Sequence, residues 1–112
     1  MLGHSIAGFV AHLREYVRWR MRNALHRSEI INYAARRLRA TRYLEIGVRE
    51  GKTFCRIDVA NKVGVDPVPP ALAVVQEMDV GRARYFRMTS DEFFERHVAG
   101  SGESFDVVLI DG

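Results

Sequence analysis

Residues 43–54 read YLEIGVREGKTF, and the fold turns on how this stretch is read. Tyr43 to Val48 is a short, mostly apolar run that already contains Gly47, and Gly51 follows four positions later. A run of that length suits a buried strand. The two glycines let the backbone turn sharply and allow a ligand close to the main chain. A helix starting after them would present free N–H groups at its first turn. Strand, glycine turn and helix start within twelve residues point to an α/β organisation.

The same alternation continues towards the C-terminus. Strands are expected at Tyr43–Val48, Lys62–Val65, Arg84–Met88 and Phe105–Ile110, with helices at roughly Lys52–Ile57, Ala71–Glu77 and Ser90–Ala99. KVGV and FDVVLI are apolar without clean alternation, the pattern of parallel strands buried on both faces. Strands separated by helices predict an α/β fold, an open parallel sheet with right-handed crossovers. Pro67, Pro69 and Pro70 break the chain after the second strand, and Gly100-Ser101-Gly102 makes a turn before the fourth. Only about ten residues separate Gly51 from Lys62, room for roughly two helical turns.

Towards the N-terminus the period changes to that of helices. Apolar residues from Ile6 to Leu25 recur at three- and four-residue steps, predicting an amphipathic helix from Ser5 to about His26. Ser28 followed by Glu29 reads as the N-cap of a second helix running to about Arg39. Arg36, Arg37 and Arg39 then suit its C-terminal dipole. Residues 1–40 are thus a basic helical segment and 41–112 the sheet domain. Residues 1–42 hold nine arginines against two glutamates, net +7, whereas 43–112 carry net −4.

The chain has 112 residues, 47% hydrophobic and 28% charged, as expected for one globular domain. No apolar run approaches the roughly 20 residues that span a bilayer. Arg14 and Glu15 interrupt the N-terminal apolar stretch too early for a signal peptide. The single cysteine, Cys55, excludes an internal disulfide framework and fits a reducing, cytoplasmic setting. His4, His12, His26 and His97 show no metal-ligand spacing with Cys55. Tyr16, Trp19 and Tyr33 among the arginines could stack on bases, but helix-face packing explains them more simply, so no nucleic-acid partner is assigned. FDVVLIDG ends two residues past a strand with no helix to cover it, so the chain is expected to be a fragment of a longer α/β domain.

In an open parallel sheet, ligands bind outside the carboxyl ends of the strands, and polar residues fall at all four. They are Glu45 to Gly51, Asp66, Thr89-Ser90-Asp91 and Asp111-Gly112. The loop is not a dinucleotide fingerprint, because Arg49 and Lys52 stand where glycines are needed. It is not a Walker A loop either, because Ile46 stands where Gly51-Lys52-Thr53 requires an earlier glycine. A tight turn without a ligand accounts for the loop alone equally well. Asp66 favours a ligand: it ends the second strand, 21 residues after Glu45, where an acid accepts hydrogen bonds from both ribose hydroxyls.

The segments EIGVREG (45–51), KVGVDP (62–67), MTSDEFF (88–94) and FDVVLIDG (105–112) together resemble the first half of a class I S-adenosylmethionine-dependent methyltransferase. The first motif of that family is an acid followed by three glycines at alternate positions. Glu45, Gly47 and Gly51 match it, and Arg49 replaces the middle glycine. The resemblance covers about residues 30–112. It implies a Rossmann-like sheet of order 3-2-1-4 preceded by two helices, and a bound S-adenosylmethionine. Gly47 and Gly51 would lie by its amino-acid portion with Arg49 between them, Glu45 by its amino group, Asp66 on the ribose, and Ser90 and Asp91 by the adenine. Asp111, the candidate catalytic residue, would lie near the transferred methyl.

The charge pattern agrees with a cofactor that carries a sulfonium and an ammonium but no phosphate. Glu45, Asp66, Asp91 and Asp111 suit cations and would repel a pyrophosphate. The expected reaction is methyl transfer to a small-molecule hydroxyl; the alternative is a non-catalytic adenosyl-cofactor-binding or interaction fragment. A divalent metal at Asp111 would need further oxygen ligands beyond Gly112, so none is assigned. The N-terminal helices, or an exposed strand edge, offer the contacts for a homodimer.

Overall fold

A computed structural model of the protein describes residues 6–22 and 26–111. Helices α1 (Ile6–Arg22) and α2 (Arg27–Leu38) precede a four-stranded sheet of β1 (Arg42–Ile46), β2 (Asn61–Val65), β3 (Ala83–Phe86) and β4 (Val107–Ile110). Helix α3 (Leu72–Asp79) joins β2 to β3. Helix α4 (Ser90–Phe93), which runs on as a π-helical turn over Phe94–Val98, precedes β4. All strand pairs are parallel and the order is β3-β2-β1-β4, so the sheet has the expected class, order and leading helices. The expected extension of α1 to His26 falls on residues 23–25, outside the described residues, as do Gly112 and the side chain of Trp19.

β1 is the central strand and its side chains alternate between two cores. Tyr43 joins Ala35, Phe54, Ile57 and Val74 on the face covered by α2 and α3. Leu44 joins Val63, Val65 and Phe93 on the face covered by α4. Full burial of each such aliphatic or aromatic side chain stabilises by about 1.5–3 kcal/mol. On β2 the first face carries Lys62 and Gly64. Lys62 is buried because its Nζ reaches Glu77 Oε1 (2.6 Å) and the Phe54 carbonyl (3.0 Å). Gly64 is required because a Cβ there would lie 2.8 Å from Val48 Cγ2 and 3.3 Å from the Phe54 ring.

Three local expectations are corrected. The first crossover is not a helix over Lys52–Ile57 but a single 3-10 turn, Phe54–Arg56. Beyond it Ile57 and Val59 are buried while Asp58 and Ala60 are exposed, the two-residue period of extended chain returning to the start of β2. The cap of α2 is His26, not Ser28: the His26 ring Nδ1 accepts the Ser28 N–H (3.1 Å), and Ser28 lies inside the helix. β4 is not buried on both faces, because α4 covers β1 and β2 and leaves Val108 and Ile110 (73% exposed) open.

α1 meets α2 through Tyr16 stacked on Tyr33, ring centroids 4.0 Å apart, the helix-face packing expected of those aromatics. Among the described residues no helix is long and apolar enough to cross a membrane.

Candidate functional site

The carboxyl ends of the four strands meet around two adjoining cavities. The larger, about 730 Å³, is lined by Ile46, Gly47 and the loop residues Arg49 and Glu50, by Val65 to Pro69 and Ala71, by Met88 to Ser90 and by Asp111. Such a volume lies in the range of small-molecule sites. The smaller, about 180 Å³, is lined by Arg27, Glu45, Val48, Lys52 and Thr53. Arg49, Glu50 and Asp111 belong to both, so the cavities share a wall.

The loop between β1 and the 3-10 turn forms this wall. Gly47 (φ 86°), Arg49 (φ 56°) and Gly51 (φ 82°) all adopt left-handed backbone, at alternate positions. Arg49 therefore takes the conformation that glycine would adopt freely, at a cost of about 1–2 kcal/mol. What compensates it is visible: the Arg49 N–H donates to Asp66 Oδ2 (2.9 Å). The Val68 N–H donates to the other oxygen, Oδ1 (3.1 Å), and the Gly47 N–H to the Val65 carbonyl (2.9 Å). Asp66, 7% exposed, thus pins the loop to the end of β2. A carboxylate offers about four acceptor sites, so Asp66, which lines the larger cavity, keeps capacity for about two more.

Glu45 forms the floor of the smaller cavity and is 1% exposed. The Tyr43 hydroxyl donates to its Oε1 (2.6 Å). Burial pushes its pKa up to about 7 and Asp111 adds to the rise, while the Tyr43 hydrogen bond, Arg27 and Lys62 pull against it. This carboxyl is poised between its neutral and charged forms near neutral pH.

Asp111 sits at the end of β4, its N–H bonded to the Ile46 carbonyl (2.8 Å). Its carboxylate forms an ion pair with Arg27 from the first turn of α2. Arg27 also donates from Nε to Thr53 Oγ1 (3.2 Å). The basic leader therefore contributes a side chain to the sheet's ligand end. No local signal marks Arg27 in the sequence, because it lies 84 residues from its partner.

Of the residues expected at the site, Glu45, Gly47, Arg49, Asp66, Ser90 and Asp111 line one or both cavities. Gly51 lines neither: a Cβ there would lie 2.6 Å from Val74 Cγ2, so the glycine serves the seating of α3 under the loop. Asp91 is exposed in the first turn of α4 and also lines neither. Thr89 caps α4, accepting the Glu92 N–H while Glu92 reaches back to the Thr89 N–H. Among the described residues no group of three His, Cys, Asp or Glu side chains converges as a metal site. No protein-family model, curated protein or solved structure matches the chain, so its functional reading rests on this geometry.

Proposed function

We propose that the two cavities bind S-adenosylmethionine and that the chain's chemistry is methyl transfer to a small-molecule hydroxyl. The observation that carries the reading is the joint occupation of the site. An open parallel sheet brings two left-handed loop positions, Gly47 and Arg49, an acid at the end of the second strand and a pocket holding both signs of charge around one wall. The residues fit the cofactor part by part. Ile46, Val65, Val68 and Met88 give the larger cavity an apolar lining for a purine. Asp66 has acceptor capacity for two hydroxyls, and Ser90 adds a polar edge. Glu45 opposes an ammonium at the smaller cavity.

When bound, the cofactor supplies an electrophilic methyl on sulfur. The protein's contribution is alignment: Asp66 and the loop hold the nucleoside, Glu45 the amino group, and Asp111 borders the side an acceptor would approach. Fixing both reactants in line supplies much of the rate in a direct displacement. A cytoplasmic setting belongs to the same reading, since the free thiol Cys55 suits a reducing compartment.

Engagement of Asp111 by Arg27 favours a second reading, an adenosyl-binding module without turnover. Calorimetry with S-adenosylhomocysteine and with NAD tests the first step. The homocysteine nucleoside is expected to bind, and Asp66→Ala to weaken it at least about tenfold, the size expected for hydrogen bonds to a charged group. Binding of NAD alone would refute the proposal. Transfer of labelled methyl across hydroxyl acceptors then separates enzyme from module.

A further inference from the structure

We infer that Arg27 is the carboxylate-binding residue of the smaller cavity and that it works by exchanging partners. The inference rests on the adenosyl reading above and assigns a role to the N-terminal helical segment. A pocket for an α-amino-acid head must meet one positive and one negative group side by side. The smaller cavity holds both signs: Glu45 and Asp111 opposite Arg27, with Arg49 and Lys52 at its rim. Its volume of about 180 Å³ equals the share of roughly six waters, enough for such a head group.

Arg27 is the cation best placed to read a carboxylate. Thr53 fixes its Nε and α2 fixes its backbone, whereas Lys52 is exposed and pairs with Glu50 at 3.6 Å. A guanidinium has five N–H donors in a planar fork. Among the described residues Arg27 uses Nε on Thr53 and Nη2 on Asp111, leaving Nη1 without a hydrogen bond. Its ion pair with Asp111 is open to water, the side chains being 50% and 31% exposed. Pairs of that kind contribute little, so an incoming carboxylate can displace Asp111 readily. The displaced Asp111 then faces the wall shared by the two cavities, next to Glu45, where it meets the ligand's positive charge. One exchange thus converts an internal ion pair into two contacts with a zwitterion.

The test compares S-adenosylhomocysteine with 5′-methylthioadenosine, which keeps the nucleoside and thioether but lacks the amino-acid head. For Arg27→Gln, calorimetry is expected to show at least a tenfold loss of affinity for the first ligand and less than a twofold change for the second. Arg27→Lys, which keeps the charge without the fork, is expected to recover part of the loss. Unchanged affinity of Arg27→Gln for S-adenosylhomocysteine would overturn the inference and leave the adenosyl reading standing. Equal weakening of both ligands would overturn it too, by making Arg27 a general support. Failure of the wild-type chain to bind either ligand would remove the adenosyl reading and the clamp together.

Discussion

Replacing Glu45 with glutamine isolates the electrostatic strain at the floor of the smaller cavity. In the fold the Glu45 carboxyl is buried and its pKa is raised to about 7, against about 4.3 in an unfolded chain. The folded state therefore binds this proton more tightly than the unfolded state. Stability from this group is fully present below about pH 4.3 and is lost as pH rises to about 7. The difference of roughly 2.7 units corresponds to about 3–4 kcal/mol at pH 8, since one unit is 1.36 kcal/mol. Glutamine keeps an oxygen for the Tyr43 hydroxyl, now 2.6 Å from Oε1, but cannot ionise. Glu45→Gln is thus expected to be near neutral at pH 4.5 and stabilising by about 3 kcal/mol at pH 8.

Urea unfolding followed by circular dichroism at both pH values measures this difference. Two other acids titrate in the opposite sense. Glu77 is held below the ordinary range by its hydrogen bond from Lys62, and Asp106 by the backbone N–H groups of Thr41 and Arg42. Both contribute stability at higher pH that is lost on acidification, and both are present in either protein, so they cancel in the comparison. A wild-type-to-variant difference that does not change with pH, or that shrinks as pH rises, would refute the reasoning.

Four further substitutions test the backbone and packing of the fold. Arg39 ends α2 in left-handed backbone (φ 53°) with its side chain exposed; Arg39→Gly is expected to raise stability by about 0.5–1 kcal/mol, seen as a higher urea midpoint at unchanged slope. Gly64→Ala places a methyl 2.8 Å from Val48 Cγ2 and is expected to cost about 1–3 kcal/mol by the same measurement. Glu77→Ala strands the buried Lys62 ammonium and is expected to cost about 3 kcal/mol or more. Lys62→Met costs less, because the Glu77 left behind keeps Arg82 at 3.3 Å.

The sheet was legible because its strands are apolar runs each followed at once by a polar residue or glycine, and β1 to β4 fall within a few residues of their expected bounds. The first crossover was not: residues 52–57 carry no signal separating a 3-10 turn from a helix, and Ile57 and Val59 take a two-residue period only once the return to β2 is seen. The half-exposure of β4 escaped notice because it depends on which strands α4 covers. At the site, Asp66 could be read from its spacing, whereas its grip on the Arg49 N–H could not. Arg49 read as a departure from a glycine motif, and the backbone nonetheless keeps the glycine-like conformation there. The packing of Gly51 against Val74 could not be read from the sequence, because it depends on where α3 sits under the loop. Arg27 left no trace, because its role arises from a contact across 84 residues.

The central claim is that an adenosyl ligand occupies the two cavities at the strand ends. Backbone-amide NMR during titration with S-adenosylhomocysteine tests it residue by residue. Shifts are expected to concentrate at Gly47, Arg49, Glu50, Asp66, Val68, Met88 to Ser90 and Asp111, the amide-bearing positions that line the shared wall and the larger cavity. No shifts, or shifts gathered instead around Cys55, Asp58 and Arg82 at the cavity of about 510 Å³ away from the strand ends, would contradict the account.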